Sequence, residues 1–147
     1  MTGEPSSDGV WERLSDSRVW LSAATLVATV ATAGSLWFSL GLGLTPCDLC
    51  WYQRILMYPL VVVLGVATVE GRAAVSRTAL PFVGLGLILS AYHSYLQATT
   101  AECTLGGPCA AVQWQSPVIG LTIPNLSLVA FGLLAVLLVG MWVRVGR

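Results

Sequence analysis

The segment CDLCWYQRILMYP, residues 47–59, sets Cys47 and Cys50 three positions apart at the head of an apolar run. A Cys-x-x-Cys pair that opens a helix suits thiol–disulfide exchange, because unpaired backbone amides and the helix dipole favour the thiolate there. Arg54 follows Cys50 by four residues. On a helix the two share a face, about 6 Å apart along the axis. An ionised side chain inside an apolar span costs at least ~2.5 kcal/mol on insertion scales and marks a functional position by default. The alternative is that Arg54 snorkels to nearby headgroups. The functional expectation is a cation beside Cys50 that stabilises a thiolate and holds an electron-rich acceptor.

A second pair, Cys103 and Cys109, flanks TLGGP, whose glycines and proline predict a turn able to bring the two thiols to bonding distance. Two structural staples would be the plainest use of four cysteines, but loops this short yield only roughly 2 kcal/mol each in the chain-entropy model. A four-cysteine zinc site would need a second tight knuckle, which the second pair does not supply. Redox exchange is the stronger expectation, with no metal. His93 and Gln97, four residues apart in AYHSYLQ, fall on one helical face. Were that face turned toward Arg54, three donors would meet near Cys50. Such a pocket would suit a quinone, whose carbonyl oxygens need donors and whose ring needs apolar packing, with Trp51, Met57 and Tyr58 as candidates for the walls.

These groups must be positioned by membrane helices. The chain is 56% hydrophobic and only 10% charged, against about 25% charged in soluble domains. Seven arginines balance seven acids and there is no lysine, so no basic patch offers itself to nucleic acid. No glycine-rich phosphate loop is present, and the single histidine is too little for a histidine-based metal site. Four apolar stretches at about residues 19–44, 51–69, 78–97 and 118–143 predict four spanning helices, since backbone amides in lipid must be bonded internally. The expected fold is an all-α, integral membrane four-helix bundle over residues 19–147, preceded by a flexible tail, residues 1–18. The first span is too long for the apolar core of a cleaved signal peptide. Arg13, Arg18, Arg72, Arg77, Arg144 and Arg147 flank the spans at one end, whereas the links holding the cysteines have no arginine. The positive-inside rule then puts the tail and both termini in the cytoplasm and both cysteine pairs outside. Tryptophans agree, with Trp20 and Trp142 near the inner interface and Trp37, Trp51 and Trp114 near the outer.

PCDLCWYQRILMYP, the HSYLQ late in the third span and the cysteine pair in the following link resemble the membrane disulfide oxidoreductases of the disulfide bond formation protein B (DsbB/BdbC) type. The likeness runs from about Val19 to Val143. The short spacing of the second pair is similar to the Gram-positive and archaeal branch. The resemblance implies redox disulfides Cys47–Cys50 and Cys103–Cys109 in a prokaryotic cell membrane. A reduced extracytoplasmic DsbA-like thioredoxin-fold partner would attack at Cys103. The resulting dithiol would reduce Cys47–Cys50, and Cys50 would pass the electrons to a membrane quinone, ubiquinone or menaquinone, with Arg54 assisting and His93 and Gln97 as quinone contacts. Strongly oxidising protein thiols lie near about −120 mV, so the quinone is the downhill end. Rival expectations are a non-enzymatic membrane subunit with structural disulfides and an enzyme like vitamin K epoxide reductase. The latter carries a cysteine pair in its last span, and residues 125–143 have none.

Overall fold

The computed structural model describes residues 7–100, 102–103 and 107–145. Residues 1–6 of the expected tail, most of the TLGGP turn and Arg147 lie outside the described residues, as does the side chain of Arg13. Four helices form: α1 (Ser7–Leu36), α2 (Asp48–Glu70), α3 (Val75–Thr99) and α4 (Ile123–Val145). Four stretches are long and apolar enough to cross a membrane, Asp16–Gly41, Asp48–Glu70, Val75–Thr99 and Ile123–Val145, the first running five residues past the end of α1. At 1.5 Å per residue even the 23-residue helices reach about 34 Å, more than the ~30 Å of hydrocarbon.

Neighbours in space follow the chain. α1 packs on α2, α2 on α3, α3 on α4, and α4 returns to α1, so the bundle closes into a ring. Gly71, left-handed at φ 67, ends α2 and starts the short link to α3, a conformation that costs glycine little. Leu21, Leu60, Leu64, Phe131, Leu134 and Met141 fill the shared core. Val62, Val66, Leu85, Ile88 and Val136 are apolar and exposed, so the outside is as oily as the inside, as lipid requires. Lipid gives little hydrophobic drive between helices, and close approach of small residues takes its place. Ala24, Ala28 and Ala79 are buried at these contacts, and Thr25 and Thr68 hydrogen-bond at 3.0 Å between α1 and α2.

The end away from the cysteines gathers charge. Arg144 of α4 pairs with Asp16 of α1 at 3.6 Å and lies 5.1 Å from the ring centre of Trp20, which donates to Asp16. The Arg18 side chain lies beside Gly71.

Two boundaries differ from expectation. α1 begins at Ser7, so residues 7–18 are helical, and its last turn opens into a π-helical turn over Trp37–Gly41 before the chain leaves the span. The fourth span starts at Ile123 rather than 118. Val118 and Ile119 lie in a tight turn, in which Ser116 N–H donates to Leu121 O at 2.9 Å and Gly120 N–H to Ser116 O at 3.0 Å. Gly120 has φ 68 there, and Gln115 and Thr122 form an isolated bridge. Pro124 falls in the first turn of α4, where its missing N–H would be unpaired anyway.

Gly86 of α3 packs directly under Phe131 of α4: a Cβ there would come within 2.1 Å of the Phe131 ring, whereas one at Gly84 would meet nothing within 4 Å. Gly86→Ala is therefore expected to destabilise the bundle by about 1–3 kcal/mol, and Gly84→Ala to leave it no less stable. Thermal unfolding of both variants in detergent checks this, and equal melting would refute the close packing at Gly86.

Candidate functional site

Cys47 caps α2 in an extended conformation, φ −74 and ψ 171, and its carbonyl accepts from Trp51 N–H at 3.1 Å. Both cysteines of the first pair thus belong to the opening turn of α2. Their Sγ atoms are 3.2 Å apart, with Cys47 donating to Cys50. At Cys47 hydrogen bonding and burial outweigh the helix start, and its thiol is pushed up to about 11. The main cause is the hydrogen bond to Cys50, which ionisation would destroy, and burial adds to it, while His93 and the Cys50 amide pull the other way. Cys109 is pushed up to about 12, first by burial and then because its thiol donates to Cys103. The Leu49 amide in the first turn of α2 partly opposes this, and contact with Cys47 reinforces it. The two pairs therefore form one cluster, with Cys109 between Cys103 and Cys47. Leu49 and Leu96 pack around it.

His93 is buried against that cluster. Its Nε2 lies 3.1 Å from the Cys109 carbonyl oxygen and 3.7 Å from Cys47 Sγ. Its Nδ1 lies 3.3 Å from Gln53 Nε2. A carbonyl oxygen has no proton to give, so Nε2 carries one. Cys47 Sγ, Cys50 Sγ and His93 Nε2 all lie within 4.8 Å of one another, close enough to ligate one soft metal ion. A protonated Nε2, however, has no lone pair for a metal. Gln97 Nε2 donates to Ala111 O at 3.2 Å, and its buried Oε1 has no partner among the described residues.

Arg54 faces the other way. Nε donates to Ser35 Oγ at 2.9 Å and Nη2 to Ser35 O at 3.0 Å, and Nη2 also donates to Ser39 Oγ in the π-helical turn. Tyr58 donates to the same Ser35 Oγ at 3.3 Å, and the guanidinium carbon lies 5.4 Å from the ring centre of Trp51. Arg54 is thus held to α1 rather than snorkelling outward. Between α1, α2 and α4 runs a cavity of about 540 Å³, whose wall includes Leu26, Val30, Phe38, Met57, Ala130 and Leu133. Cys50, Gln53, Arg54 and Tyr58 line it near the start of α2.

The convergence of Arg54, His93 and Gln97 does not occur. His93 and Gln97 border a small separate void with Cys47, Cys109 and Trp114. Successive residues on a helix point about 100° apart, so Gln53 turns to α3 while Arg54 turns to α1. Of the expected wall residues, Met57 and Tyr58 line the cavity and Trp51 is exposed outside it. Ser35, Ser39 and Gln53 were not singled out by sequence. The available signals were a serine pair at i, i+4 in a charge-free span and a glutamine inside an apolar run.

The cavity's size is in the range of sites for small ligands. Its apolar walls fit a quinone ring and tail, and Arg54 Nη1, which makes no hydrogen bond among the described residues, is a spare donor for a carbonyl oxygen. The family model described as disulfide bond formation protein DsbB matches residues 17–141. Disulfide bond formation protein C of Bacillus subtilis (strain 168) is 41% identical over 125 residues, covering 80% of this chain and 88% of that protein. A probable disulfide formation protein of Deinococcus radiodurans is 42% identical over 137 residues, covering 84% and 87% respectively. No solved structure matches the chain.

The raised thiols set an expectation for reactivity. A raised pKa means the thiolate appears only at more alkaline pH. At pH 8, thiols raised this far are almost wholly protonated. Iodoacetamide should therefore spare both in the fully reduced protein at pH 8 and modify them increasingly above pH 10. Peptide mass mapping reads this directly, and rapid modification of either at pH 8 would contradict the hydrogen-bonded cluster.

Proposed function

Since this chain belongs to the DsbB family of disulfide bond formation proteins, membrane disulfide oxidoreductases with four membrane-spanning helices, we propose that it reoxidises a reduced, extracytoplasmic DsbA-like thioredoxin-fold protein and delivers the electrons to a membrane quinone, ubiquinone or menaquinone. The observation that carries this is the path of contacts from Cys103 to Cys109, Cys47 and Cys50, ending at a cavity that Cys50 and Arg54 line. The grouping of Arg18 and Arg144 at the other end of the bundle from the cysteines supports cytoplasmic termini and outward cysteine pairs in the prokaryotic cell membrane.

The steps balance as thiol–disulfide exchange. A partner thiolate attacks Cys103 of the Cys103–Cys109 disulfide, giving a mixed disulfide and releasing Cys109. The partner's second thiol closes the partner's own disulfide and frees Cys103. The Cys109 thiolate attacks Cys47 Sγ: a Cys109–Cys47 bond forms, the Cys47–Cys50 bond breaks, and Cys50 leaves as thiolate. Cys103 then attacks Cys109, restoring Cys103–Cys109 and releasing Cys47. Two electrons and two protons have moved from the partner to the Cys47–Cys50 pair. Bound quinone supplies a two-electron, two-proton acceptor for that dithiol. Arg54 keeps a positive charge on the cavity side, where Cys50 carries its negative charge, and Met57, Tyr58 and Phe38 exclude water from it. His93 and Gln97 act on the cysteine loops instead of on the quinone.

The test uses purified protein in detergent with a reduced thioredoxin-fold oxidase and a soluble quinone, following quinone absorbance. Wild type is expected to reduce quinone, and Cys50→Ser to abolish it. If no combination of quinone and partner gives turnover and all four cysteines stay in disulfides, structural staples become the better account. Arg54→Met is expected to raise the quinone KM or lower kcat by at least tenfold, the scale of one lost hydrogen bond to a charged group. Unchanged quinone kinetics would remove Arg54 from the site.

A further inference from the structure

His93 makes contacts that the electron path above does not use. Its Nε2 faces two acceptors, the Cys109 carbonyl at 3.1 Å and Cys47 Sγ at 3.7 Å, and these belong to different cysteine pairs. One nitrogen has one proton. We propose that the His93 Nε2–H is a latch shared between the two pairs, and that Gln53 is the positioning residue that keeps the proton on Nε2. This rests on the exchange between the pairs described above.

Gln53 is buried, on α2, one residue before Arg54. With the proton on Nε2, His93 Nδ1 is an acceptor, and the Gln53 amide nitrogen 3.3 Å away is its donor. The opposite tautomer would set a bare Nε2 lone pair against the Cys109 carbonyl, two acceptors in contact in a buried site. The Cys109 carbonyl at Nε2 and the Gln53 amide at Nδ1 therefore hold the same tautomer together. The ring spans the gap between α3 and the loop that carries Cys109.

The latch has two positions. While Cys47 is a thiol or half of a disulfide, the shorter contact goes to the Cys109 carbonyl and holds the second loop down on the first pair. When Cys103 attacks the Cys109–Cys47 bond, the Cys103–Cys109 bond forms and the electron pair of the broken bond leaves on Cys47. A charged sulfur draws the N–H more strongly than a neutral carbonyl does. The proton's hydrogen bond then turns to Cys47, stabilising the leaving group, and the Cys109 carbonyl is let go. Exchange is thereby aided, and the reoxidised second pair is loosened at the moment it must meet the next partner molecule.

The chain has one histidine, so ¹⁵N-histidine labelling with a histidine-free affinity tag gives a single imidazole. In the wild type in detergent, Nε2 is expected to be protonated and Nδ1 not. Gln53→Leu should give a mixture of tautomers, and Gln53→Glu, which can anchor a proton on Nδ1 while leaving that on Nε2, should keep Nε2–H. Exchange is read without quinone: reduced partner is added to the fully oxidised protein, samples are quenched with maleimide, and reduction of Cys47–Cys50 is followed by mass mapping. Gln53→Leu is expected to slow it roughly tenfold, the scale of one charge-assisted hydrogen bond, with Gln53→Glu restoring most of the rate. A wild-type ring protonated on Nδ1 overturns the latch, whatever the variants do. Wild-type exchange in Gln53→Leu overturns the role of Gln53. If the wild type exchanges with no partner, the relay falls, and with it the motion of the latch, while the tautomer still decides whether Gln53 sets the ring.

Discussion

A guanidinium inside a membrane bundle must find hydrogen-bond acceptors there, and the cysteine end of this protein is organised around how Arg54 obtains them. Leaving a cation bare in a span would cost at least ~2.5 kcal/mol. Ser35 offers both its hydroxyl and its carbonyl, and Ser39 a second hydroxyl. The Ser35 pair comes from α1 and the third from the π-helical turn that continues it, so satisfying Arg54 fastens α2 to the end of α1 at this depth. The charge is thereby held beside the cavity instead of reaching for the headgroups.

The neighbour of Arg54 divides the site. Gln53 and Arg54 are consecutive, and a helix turns them about 100° apart. Gln53 meets His93 of α3 in a cluster of buried groups, and Arg54 meets α1 directly beside the apolar cavity that both residues line. Cys50 borders both spaces. Protein thiols on one side and a lipid-soluble acceptor on the other can then share a single sulfur, with no open path between the spaces required. The raised thiols of Cys47 and Cys109 belong to the same design, because burial and mutual hydrogen bonding keep them protonated until exchange forces a charge on them.

Much of this was legible in the sequence because its signals are local. Uninterrupted apolar length gave four spans, and the Cys-x-x-Cys spacing with an arginine at i+4 gave the first pair and the cation on one helix. What failed was judgement across helices. His93 and Gln97 do share a face, but which neighbour that face meets depends on the order of helices in the ring, and periodicity carries no such information. Gln53 illustrates the same limit, since a glutamine in an apolar run is informative only once its partner is known. Hydropathy alone places Val118 and Ile119 in the fourth span, although Pro117 and Gly120 beside them mark a turn. Ser35 and Ser39 stand out only as a serine pair at i, i+4 in a charge-free span, and that spacing does not say that an arginine from another helix needs them.

The π-helical turn at Trp37–Gly41 bears on how such a chain can change length over evolution. Leu42 N–H reaches back to Trp37 O at 3.1 Å and Leu44 N–H to Phe38 O at 3.0 Å, wider closures than the α-helical step. A π turn absorbs an extra residue locally, so an insertion here need not rotate the helix that precedes it. Everything N-terminal to the turn, including Ser35 and the contacts with α2 and α4, keeps its register. A change of length at this turn would leave the preceding helix in place and shift Ser39, the second hydroxyl on Arg54, on the cavity wall.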